Sequence, residues 1–158
     1  MVTGFGISRR EVEMLKAKDI MTSEVVSARR DMPVEEALEL LLENKVAGIP
    51  VVEEDMTLVG IVTEKDLLGL FYGPEDVKEK TVEDFMTQPA VHFDENEGLD
   101  EICRCLLEVT FRRVPVTKEG KVVGIVSRPD VLKCILEGTG GKGKLKVKIV
   151  RFGSDRRV

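Results

Sequence analysis

The stretch GIVTEKD at residues 60–66 recurs 64 positions later as GIVSRPD at residues 124–130. Each copy has a short apolar run, then a hydroxyl residue, then an aspartate three positions after the hydroxyl. Such a pattern is typical of a strand that ends where a helix begins, because the hydroxyl and the carboxylate cap the first helical turn. The same strand-to-helix junction, present twice, predicts that the chain is a tandem repeat.

The repeat extends outward from these two junctions. Asp19-Ile20-Met21-Thr22 matches Asp84-Phe85-Met86-Thr87, and Ile49-Pro50-Val51 matches Val114-Pro115-Val116, each at a separation of 65 residues. Between these matches both copies place apolar residues at i, i+3, i+4, i+7 and i+8, which is the apolar stripe of an amphipathic helix. The stripe residues are Val34, Ala37, Leu38, Leu41 and Leu42 in the first copy, and Leu99, Ile102, Cys103, Leu106 and Leu107 in the second.

Each copy therefore predicts the order strand, helix, strand, strand, helix, in an α+β fold. In the first copy the expected elements are a strand at 24–27, a helix at 34–44, a hairpin of strands at 49–52 and 58–62, and a helix at 64–71. Helices would cover one face of each antiparallel hairpin. Because neither copy buries enough surface alone, we expect the two to pack about a pseudo-twofold axis.

The same pattern sets the expected boundaries along the chain. They are an N-terminal segment with a short helix at 1–18, the first repeat at 19–72, a linker at 73–80, the second repeat at 81–137, and a Gly-rich linker with a basic strand-like extension at 138–158.

The composition favours binding over catalysis. Of 158 residues, 42% are hydrophobic and 34% are charged with both signs mixed, which is typical of a soluble globular protein. Because His92 is the single histidine, a multi-histidine metal centre is excluded. Any Ser-His-Asp triad or Cys-His dyad would have to use His92 as its histidine. We therefore expect no enzyme activity, no metal site and no obligatory cofactor.

The cysteine and hydropathy patterns predict a cytoplasmic protein. Three cysteines, Cys103, Cys105 and Cys134, are too few for a disulfide framework, and core packing is the expected role of Cys103 and Cys134. No apolar run approaches the roughly 20 residues of a membrane-spanning helix, and no signal-peptide pattern opens the chain. We expect a reducing compartment and no membrane contact.

The net charge of −5 hides a basic C-terminal tail. Residues 142–158 contain seven Lys or Arg and one Asp, a balance of +6, so the rest of the chain carries −11. From residue 144, lysines alternate with apolar residues, which is the period of a half-buried strand. The tail would add to a sheet edge, or its basic face would bind nucleic acid or acidic partners. Because Phe152 is the tail's only stacking ring, nucleic-acid binding ranks as the second function.

These motifs resemble a pair of CBS domains, the cystathionine-β-synthase-type module that usually occurs in tandem. The resemblance covers residues 16–136 and rests on the Asp-hydrophobic-Met-Thr opening, the Ile/Val-Pro-Val strand and the Gly-hydrophobic-hydrophobic-Ser/Thr-x-x-Asp segment, each present twice and in order. It implies a stand-alone regulatory module that binds AMP, ADP, ATP or S-adenosylmethionine in two clefts between the repeats. It also implies a homodimer that regulates a separate, unknown protein.

The Ser/Thr-x-x-Asp motif has two interpretations that are compatible. It can simply cap a helix by satisfying the first backbone donors. Alternatively, the carboxylates of Asp66 and Asp130 could each accept hydrogen bonds from both hydroxyls of a ribose, as an acidic residue does in dinucleotide-binding folds. In the context of the repeat, ribose binding is the better hypothesis.

By resemblance, each cleft takes its ribose-binding pair from one repeat and its opposite wall from the other. In the first cleft Arg112 and Arg113 would face Thr63 and Asp66, and two guanidinium groups there would suit a phosphate. A solvated turn is the alternative role of the two arginines. The adenine would lie on apolar backbone, with the histidine nearby as part of the wall. The predicted first site is Ile61, Thr63, Asp66, Val91, His92, Arg112 and Arg113.

The second cleft has no such phosphate anchor, because Gly48 occupies the place of Arg113. It would suit a neutral or cationic adenosyl ligand or stay empty, so we expect asymmetric occupancy. The predicted second site is Val25, Val26, Ala47, Gly48, Ile125, Ser127 and Asp130.

Overall fold

A computed structural model describes residues 10–11, 14–73, 79–109 and 112–137. The predicted tail at 138–158 lies outside the described residues, as do most of the leading segment at 1–18 and most of the linker at 73–80. The helices are α1 (Ala17–Ile20), α2 (Val34–Asn44), α3 (Glu64–Leu68), α4 (Leu99–Glu108) and α5 (Arg128–Glu137), with 3-10 turns at Gly69–Tyr72 and Val82–Asp84. The strands are β1 (Gly48–Val52), β2 (Leu58–Thr63), β3 (Phe93–Asp94), β4 (Arg113–Lys118) and β5 (Lys121–Ser127).

Each repeat is built on one antiparallel hairpin. β1 pairs with β2 so that Gly48 lies opposite Thr63, and β4 pairs with β5 so that Arg113 lies opposite Ser127. The hydroxyl residue of each junction therefore sits beside the residue that opens the neighbouring strand. β3 adds to β4 in parallel, which gives a two-stranded and a three-stranded sheet. The predicted α+β fold of two repeats is confirmed.

The predicted strand at 24–27 does not form. The segment before α2 meets β1 at one residue only, where the Ala28 N–H donates to Pro50 O and the Val52 N–H donates to Ala28 O, both at 2.9 Å. In the second repeat the corresponding segment pairs over two residues and makes β3. A single bridge is too short to extend the sheet of the first repeat.

The predicted helix at 64–71 ends earlier than expected. α3 stops at Leu68 and continues as the 3-10 turn, whereas α5 runs for ten residues from the equivalent position. The residue that stands 64 positions after Gly69 is Lys133. Glycine within a helix is about 1 kcal/mol less favourable than alanine, so Gly69 accounts for the early end of α3.

The two hydrophobic cores exchange their leading segments. Val82 is fully buried in the first-repeat core, although it belongs to the sequence of the second repeat. Conversely, Ala17 and Ile20 of α1 are buried in the second-repeat core. Each core is therefore completed by residues from the leading segment of the other repeat. The first core contains Ala28, Val34, Ala37, Leu41, Val46, Ile49, Val51, Val62, Leu67 and Val82. The second contains Ala17, Ile20, Phe93, Leu99, Ile102, Leu106, Val114, Val116, Val126, Val131 and Cys134.

The turns of the two hairpins join the repeats at the end away from the junctions. The Leu58 N–H donates to Gly120 O at 3.0 Å, and the Val122 N–H donates to Met56 O at 2.9 Å. Leu58 is equivalent to Val122, and Met56 is equivalent to Gly120, so each bond is the counterpart of the other with the two repeats exchanged. A pseudo-twofold axis requires this reciprocity.

Candidate functional site

Two hydroxyl–carboxylate pairs lie at the strand-to-helix junctions with nearly the same geometry. The Thr63 N–H and Oγ1–H both donate to Asp66 Oδ2 at 2.9 Å, and the Asp66 N–H donates to Thr63 Oγ1 at 3.2 Å. The Ser127 N–H and Oγ–H donate to Asp130 Oδ2 at 2.8 and 2.7 Å, and the Asp130 N–H donates to Ser127 Oγ at 3.3 Å. These are the reciprocal bonds of a capping box. One oxygen of each aspartate is thus occupied by the cap.

A threonine from the other repeat's leading segment holds the second carboxylate oxygen. The Thr87 hydroxyl donates to Asp66 Oδ1, and the Thr22 hydroxyl donates to Asp130 Oδ1, each at 3.4 Å. Backbone bonds fix both threonines, because their N–H groups donate to Ile61 O and Ile125 O, each at 2.8 Å. Each carboxylate is therefore in contact with both halves of the molecule.

Glycine at the start of each repeated motif allows this close approach. A Cβ atom at Gly60 would lie 2.8 Å from Thr87 O, a backbone atom that cannot move aside cheaply. A Cβ atom at Gly124 would lie 2.8 Å from the Cγ of Met21. The two glycines are needed for the leading segments to lie against β2 and β5.

A cavity of about 510 Å³ lies between the two junctions, and both repeats contribute to its wall. Cavities of about 300–1,000 Å³ are typical of small-molecule sites. The lining residues are Lys45, Val46, Ala47, Gly48, Ile61, Glu64, Arg112, Arg113, Ser127 and Pro129.

The wall of the cavity is cationic. Lys45, Arg112 and Arg113 carry three positive charges against one negative charge on Glu64, a balance of +2. All three basic residues are exposed. Within the part of the chain that the structure describes, no hydrogen bond or ion pair engages their side chains. Free cationic groups around a cavity favour a phosphate or another anion of high charge.

Equivalent backbone bonds hold the two opposite walls. The Glu64 N–H donates to Ala47 O at 2.9 Å, and the Arg128 N–H donates to Arg112 O at 3.2 Å. Ala47 and Arg112 are therefore fixed in the same way at equivalent positions. Of these two residues, only Arg112 carries a charged side chain.

The wall of the cavity contains residues of both predicted sites. From the first it contains Ile61, Arg112 and Arg113, and from the second it contains Ala47, Gly48 and Ser127. The remaining junction residues, Thr63, Asp66, Ile125 and Asp130, are not part of the wall; they adjoin it through the neighbouring wall residues and the bonds described above.

Four other predicted site residues lie outside the cavity wall. Val25 is half-buried, Val26 packs against the first-repeat core, and Val91 is 42% exposed. His92 lines a separate cavity of about 120 Å³ together with residues of β2, of β4 and of the turn between β4 and β5. Its Nδ1 lies 3.0 Å from Ala90 O.

The sequence pattern does not identify Lys45, Glu64 or the two threonines as site residues. Lys45 follows α2 in the left-handed conformation, with a φ of 52°, and lies two residues before Ala47. Thr22 and Thr87 belong to a motif that was recognised as repeated, but its pattern gives no indication of their contact with the aspartates. Spatial proximity, rather than local pattern, identifies these residues.

The cysteines have the environment of core residues. Cys134 is fully buried, and Cys103 and Cys105 are half-buried against the second core. Burial raises the pKa of the Cys103 and Cys105 thiols, and the charges of Asp100 and Glu108, respectively, raise it further.

The described residues contain no cluster of three or more histidine, cysteine or acidic side chains that could hold a metal ion. Among those same residues, none of the helices combines the length and the apolar character needed to cross a bilayer.

The chain belongs to the CBS-domain family, whose model matches residues 17–73 and 82–137. This match, at the two repeats, confirms the resemblance seen in the sequence motifs.

The chain is similar to a named relative that contains a CBS domain. The chloroplastic CBS domain-containing protein CBSX1 of Arabidopsis thaliana is 35% identical over 132 residues, which cover 66% of this chain and 56% of CBSX1. This chain spans about half the length of the first curated relatives that it matches.

Two solved structures of similar proteins contain adenosine compounds. CBSX2 of Arabidopsis thaliana in complex with AMP has a TM-score of 0.69 and 35% identity, and the match covers 78% of this chain and 97% of that one. The CBS domain pair of MJ0100, in complex with 5′-methylthioadenosine and S-adenosyl-L-methionine, has a TM-score of 0.64 and 27% identity, and the match covers 76% and 94%.

Proposed function

We propose that this protein is a non-enzymatic regulatory module that binds an adenine nucleotide between its two CBS repeats. The observation that carries the proposal is the cationic cavity between two hydroxyl–carboxylate pairs. AMP bound to CBSX2, which is 35% identical to this chain, supports a ligand of the adenosine type. AMP, ADP and ATP are the first candidates, and S-adenosylmethionine is the next.

The ribose would bind at Asp66. Oδ2 of this carboxylate is occupied by the cap, whereas Oδ1 receives one hydrogen bond, from Thr87. A carboxylate oxygen accepts more than one hydrogen bond, so Oδ1 can also accept a ribose hydroxyl. The capping and ribose-binding interpretations of the motif are therefore compatible in this geometry.

The phosphate would lie in the cavity against Arg112 and Arg113. Neither guanidinium group is paired with a described acidic residue, and both are exposed. Arginine binds phosphate through two parallel hydrogen bonds, and charge-assisted bonds of this kind are about twice as strong as neutral ones. The two arginines would thus select phosphorylated adenosine over adenosine.

The second site would bind an uncharged or cationic adenosyl ligand more weakly. Asp130 and Ser127 repeat the ribose-binding geometry, but Ala47 and Gly48 stand where the arginines stand on the other side. Contact with the sugar would therefore be retained, and the direct phosphate anchor would be absent.

We also propose a homodimer that uses two equivalent apolar faces. Outward positions in each repeat remain exposed although they are apolar, and four of the five in the first repeat recur at separations of 64 or 65 residues. Large exposed apolar surfaces in a soluble protein mark interaction sites. The exposed residues are Leu38, Leu42, Leu68, Phe71 and Tyr72 in the first repeat, and Leu107, Leu132, Ile135 and Leu136 in the second. Sedimentation equilibrium would measure the association state.

Regulation would act through the relative position of the repeats. Asp66 contacts Thr87 of the segment that leads into the second repeat, and Val82 of that segment completes the first core. A ligand on Asp66 would stabilise one arrangement of these parts and so change the surface offered to a partner protein. Such a shift requires that the ligand bind the two arrangements with different affinities.

Calorimetry tests the proposal directly. AMP, ADP, ATP and S-adenosylmethionine are each titrated into the purified protein, with Asp66→Ala as the control. We expect a saturable signal with at least one phosphorylated ligand and loss of that signal in the variant. No heat with any of the four ligands would reject the nucleotide function and leave the two motifs as helix caps.

Nucleic-acid binding by the basic tail is the second candidate, favoured by the balance of +6 in residues 142–158. The tail lies outside the described residues, so its charge is the observation that supports this function. Salt-sensitive binding to oligonucleotides that is lost when residues 142–158 are deleted would establish it.

A further inference from the structure

We infer that the two ligand sites share one phosphate-binding centre, so that the protein holds one phosphorylated and one uncharged adenosyl ligand at a time. This inference rests on the proposed nucleotide function and specifies the ligand class of each site. It follows from the continuity of the cavity, the position of Lys45 and the charge of the wall.

The cavity between the junctions is continuous from one predicted site to the other. Ile61 and Arg112 of the first site and Ala47 and Ser127 of the second line the same space of about 510 Å³. Each ribose-binding carboxylate lies next to a wall residue, because Asp66 forms the cap with the residue before Glu64, and Asp130 forms it with Ser127. The 5′ ends of two nucleosides bound at these carboxylates would point into one common space.

Lys45 lies where both sites can use it. It belongs to the first repeat and directly precedes the wall of the second site, yet it lines the same cavity as Arg112 and Arg113. Among the described residues its side chain has no hydrogen-bond or ion-pair partner. The second site, which has no arginine of its own, would thus depend on cations that a ligand in the first site also uses.

The charge of the wall suits one phosphate group and not two. Three cations and Glu64 leave a balance of +2, and a phosphate monoester carries about −1.5 to −2 at neutral pH. A cavity of this volume is on the order of 10 Å wide, about one Debye length, so the repulsion of a second phosphate within it would be only partly screened. An uncharged ligand such as 5′-methylthioadenosine would meet no such repulsion.

The first experiment measures stoichiometry by calorimetry. AMP is titrated to saturation, and 5′-methylthioadenosine is then titrated into the AMP-saturated protein and, separately, into the free protein. We expect one AMP per chain, and binding of 5′-methylthioadenosine to the saturated protein within about threefold of its affinity for the free protein. Binding of two AMP molecules per chain with similar affinity would overturn the shared phosphate-binding centre. Displacement of one ligand by the other would overturn it as well.

A pair of matched variants tests the role of Lys45. Lys45→Met should weaken AMP binding about fivefold to tenfold and lower its salt dependence, because one phosphate-facing cation is removed. Lys121→Met is the control, since this lysine lies at the opposite end of β5 from Ser127 and should change binding less than twofold. Unchanged AMP affinity in Lys45→Met would show that the two sites have separate phosphate centres. Absence of binding of AMP, ADP, ATP and S-adenosylmethionine alike to the wild-type protein would instead reject the nucleotide function itself.

Discussion

The two strand-to-helix junctions share their internal bonding and differ in what faces them. In both, a hydroxyl and a backbone N–H donate to one aspartate oxygen, and a threonine of the other repeat donates to the second oxygen. The opposite wall, however, holds Arg112 and Arg113 on one side and Ala47 and Gly48 on the other. The duplicated scaffold thus keeps two hydroxyl–carboxylate pairs, while the arginines that we propose to bind a phosphate are present in one wall only.

The largest expected effect on AMP affinity comes from removing the two arginines that distinguish one wall from the other. The double variant Arg112→Ala, Arg113→Ala should weaken AMP binding about 100-fold, because two charge-assisted contacts to phosphate are lost. The affinity for adenosine, measured in parallel, should change less than about threefold.

The control for this variant is Arg104→Ala. Arg104 is exposed on α4 and pairs there with Asp100 at 3.1 Å, away from the cavity wall. If the double variant bound adenosine and AMP with equally reduced affinity, the arginines would be structural and the difference between the two walls would have no role in phosphate selection.

A smaller effect is expected from the threonines that support the carboxylates. Thr87→Val keeps the side-chain shape and removes the hydroxyl bond to Asp66, so AMP binding should weaken about threefold to tenfold. Thr22→Val, the equivalent change beside Asp130, should leave AMP binding within about twofold.

The ratio of AMP to 2′-deoxy-AMP affinity separates positioning from a general loss of stability. This ratio should fall in Thr87→Val, because the carboxylate that we propose binds the ribose hydroxyls loses its support. Equal losses of AMP affinity in Thr87→Val and Thr22→Val would mean that the two junctions contribute equally to AMP binding. That result would contradict the expected difference between the two sites.

The smallest effect concerns the second repeat alone, which contains all three cysteines. Burial raises the pKa of Cys103 and Cys105, so less thiolate is present near pH 8 and labelling should be several-fold slower than for free cysteine. The labelling rate should rise with pH as the thiolate fraction increases. Cys134, which is fully buried, should react after unfolding. Complete labelling of three thiols in the native protein at neutral pH would contradict the described packing of this repeat.

Much of the fold could be predicted because its signals are local and repeated. The helix at 34–44 was predicted with the bounds that the structure has, and the turn between β4 and β5 lies where the repeat places it. The prediction of a first strand in the first repeat was wrong, because a bridge at one residue, Ala28, leaves the same sequence pattern as a strand. The end of α3 was misjudged because the apolar pattern continues past Gly69 although the helix does not.

The candidate site could be predicted only where residues of one repeat act together. The aspartate caps follow from a spacing of three residues, and the structure has both of them. The contact of Thr87 with Asp66 spans 21 residues, and Lys45 lines the same cavity as the arginines of the other repeat, so no local pattern contains either relation. The exchange of leading segments between the two cores is the physical reason, because it brings together residues that the sequence assigns to different repeats.

Calorimetric titration of AMP into Asp66→Ala and Asp130→Ala, beside the wild-type protein, tests the nucleotide site most directly. Because a hydrogen bond to a charged carboxylate contributes about 1.5–3 kcal/mol, Asp66→Ala should weaken AMP binding about 10-fold to 100-fold. Asp130→Ala, which removes the equivalent cap on the wall without arginines, should change it less than about threefold. Circular dichroism of both variants would verify that each remains folded. Equal loss of AMP binding in the two variants, or AMP binding retained in Asp66→Ala, would contradict an adenine-nucleotide site formed by Asp66 and the arginines.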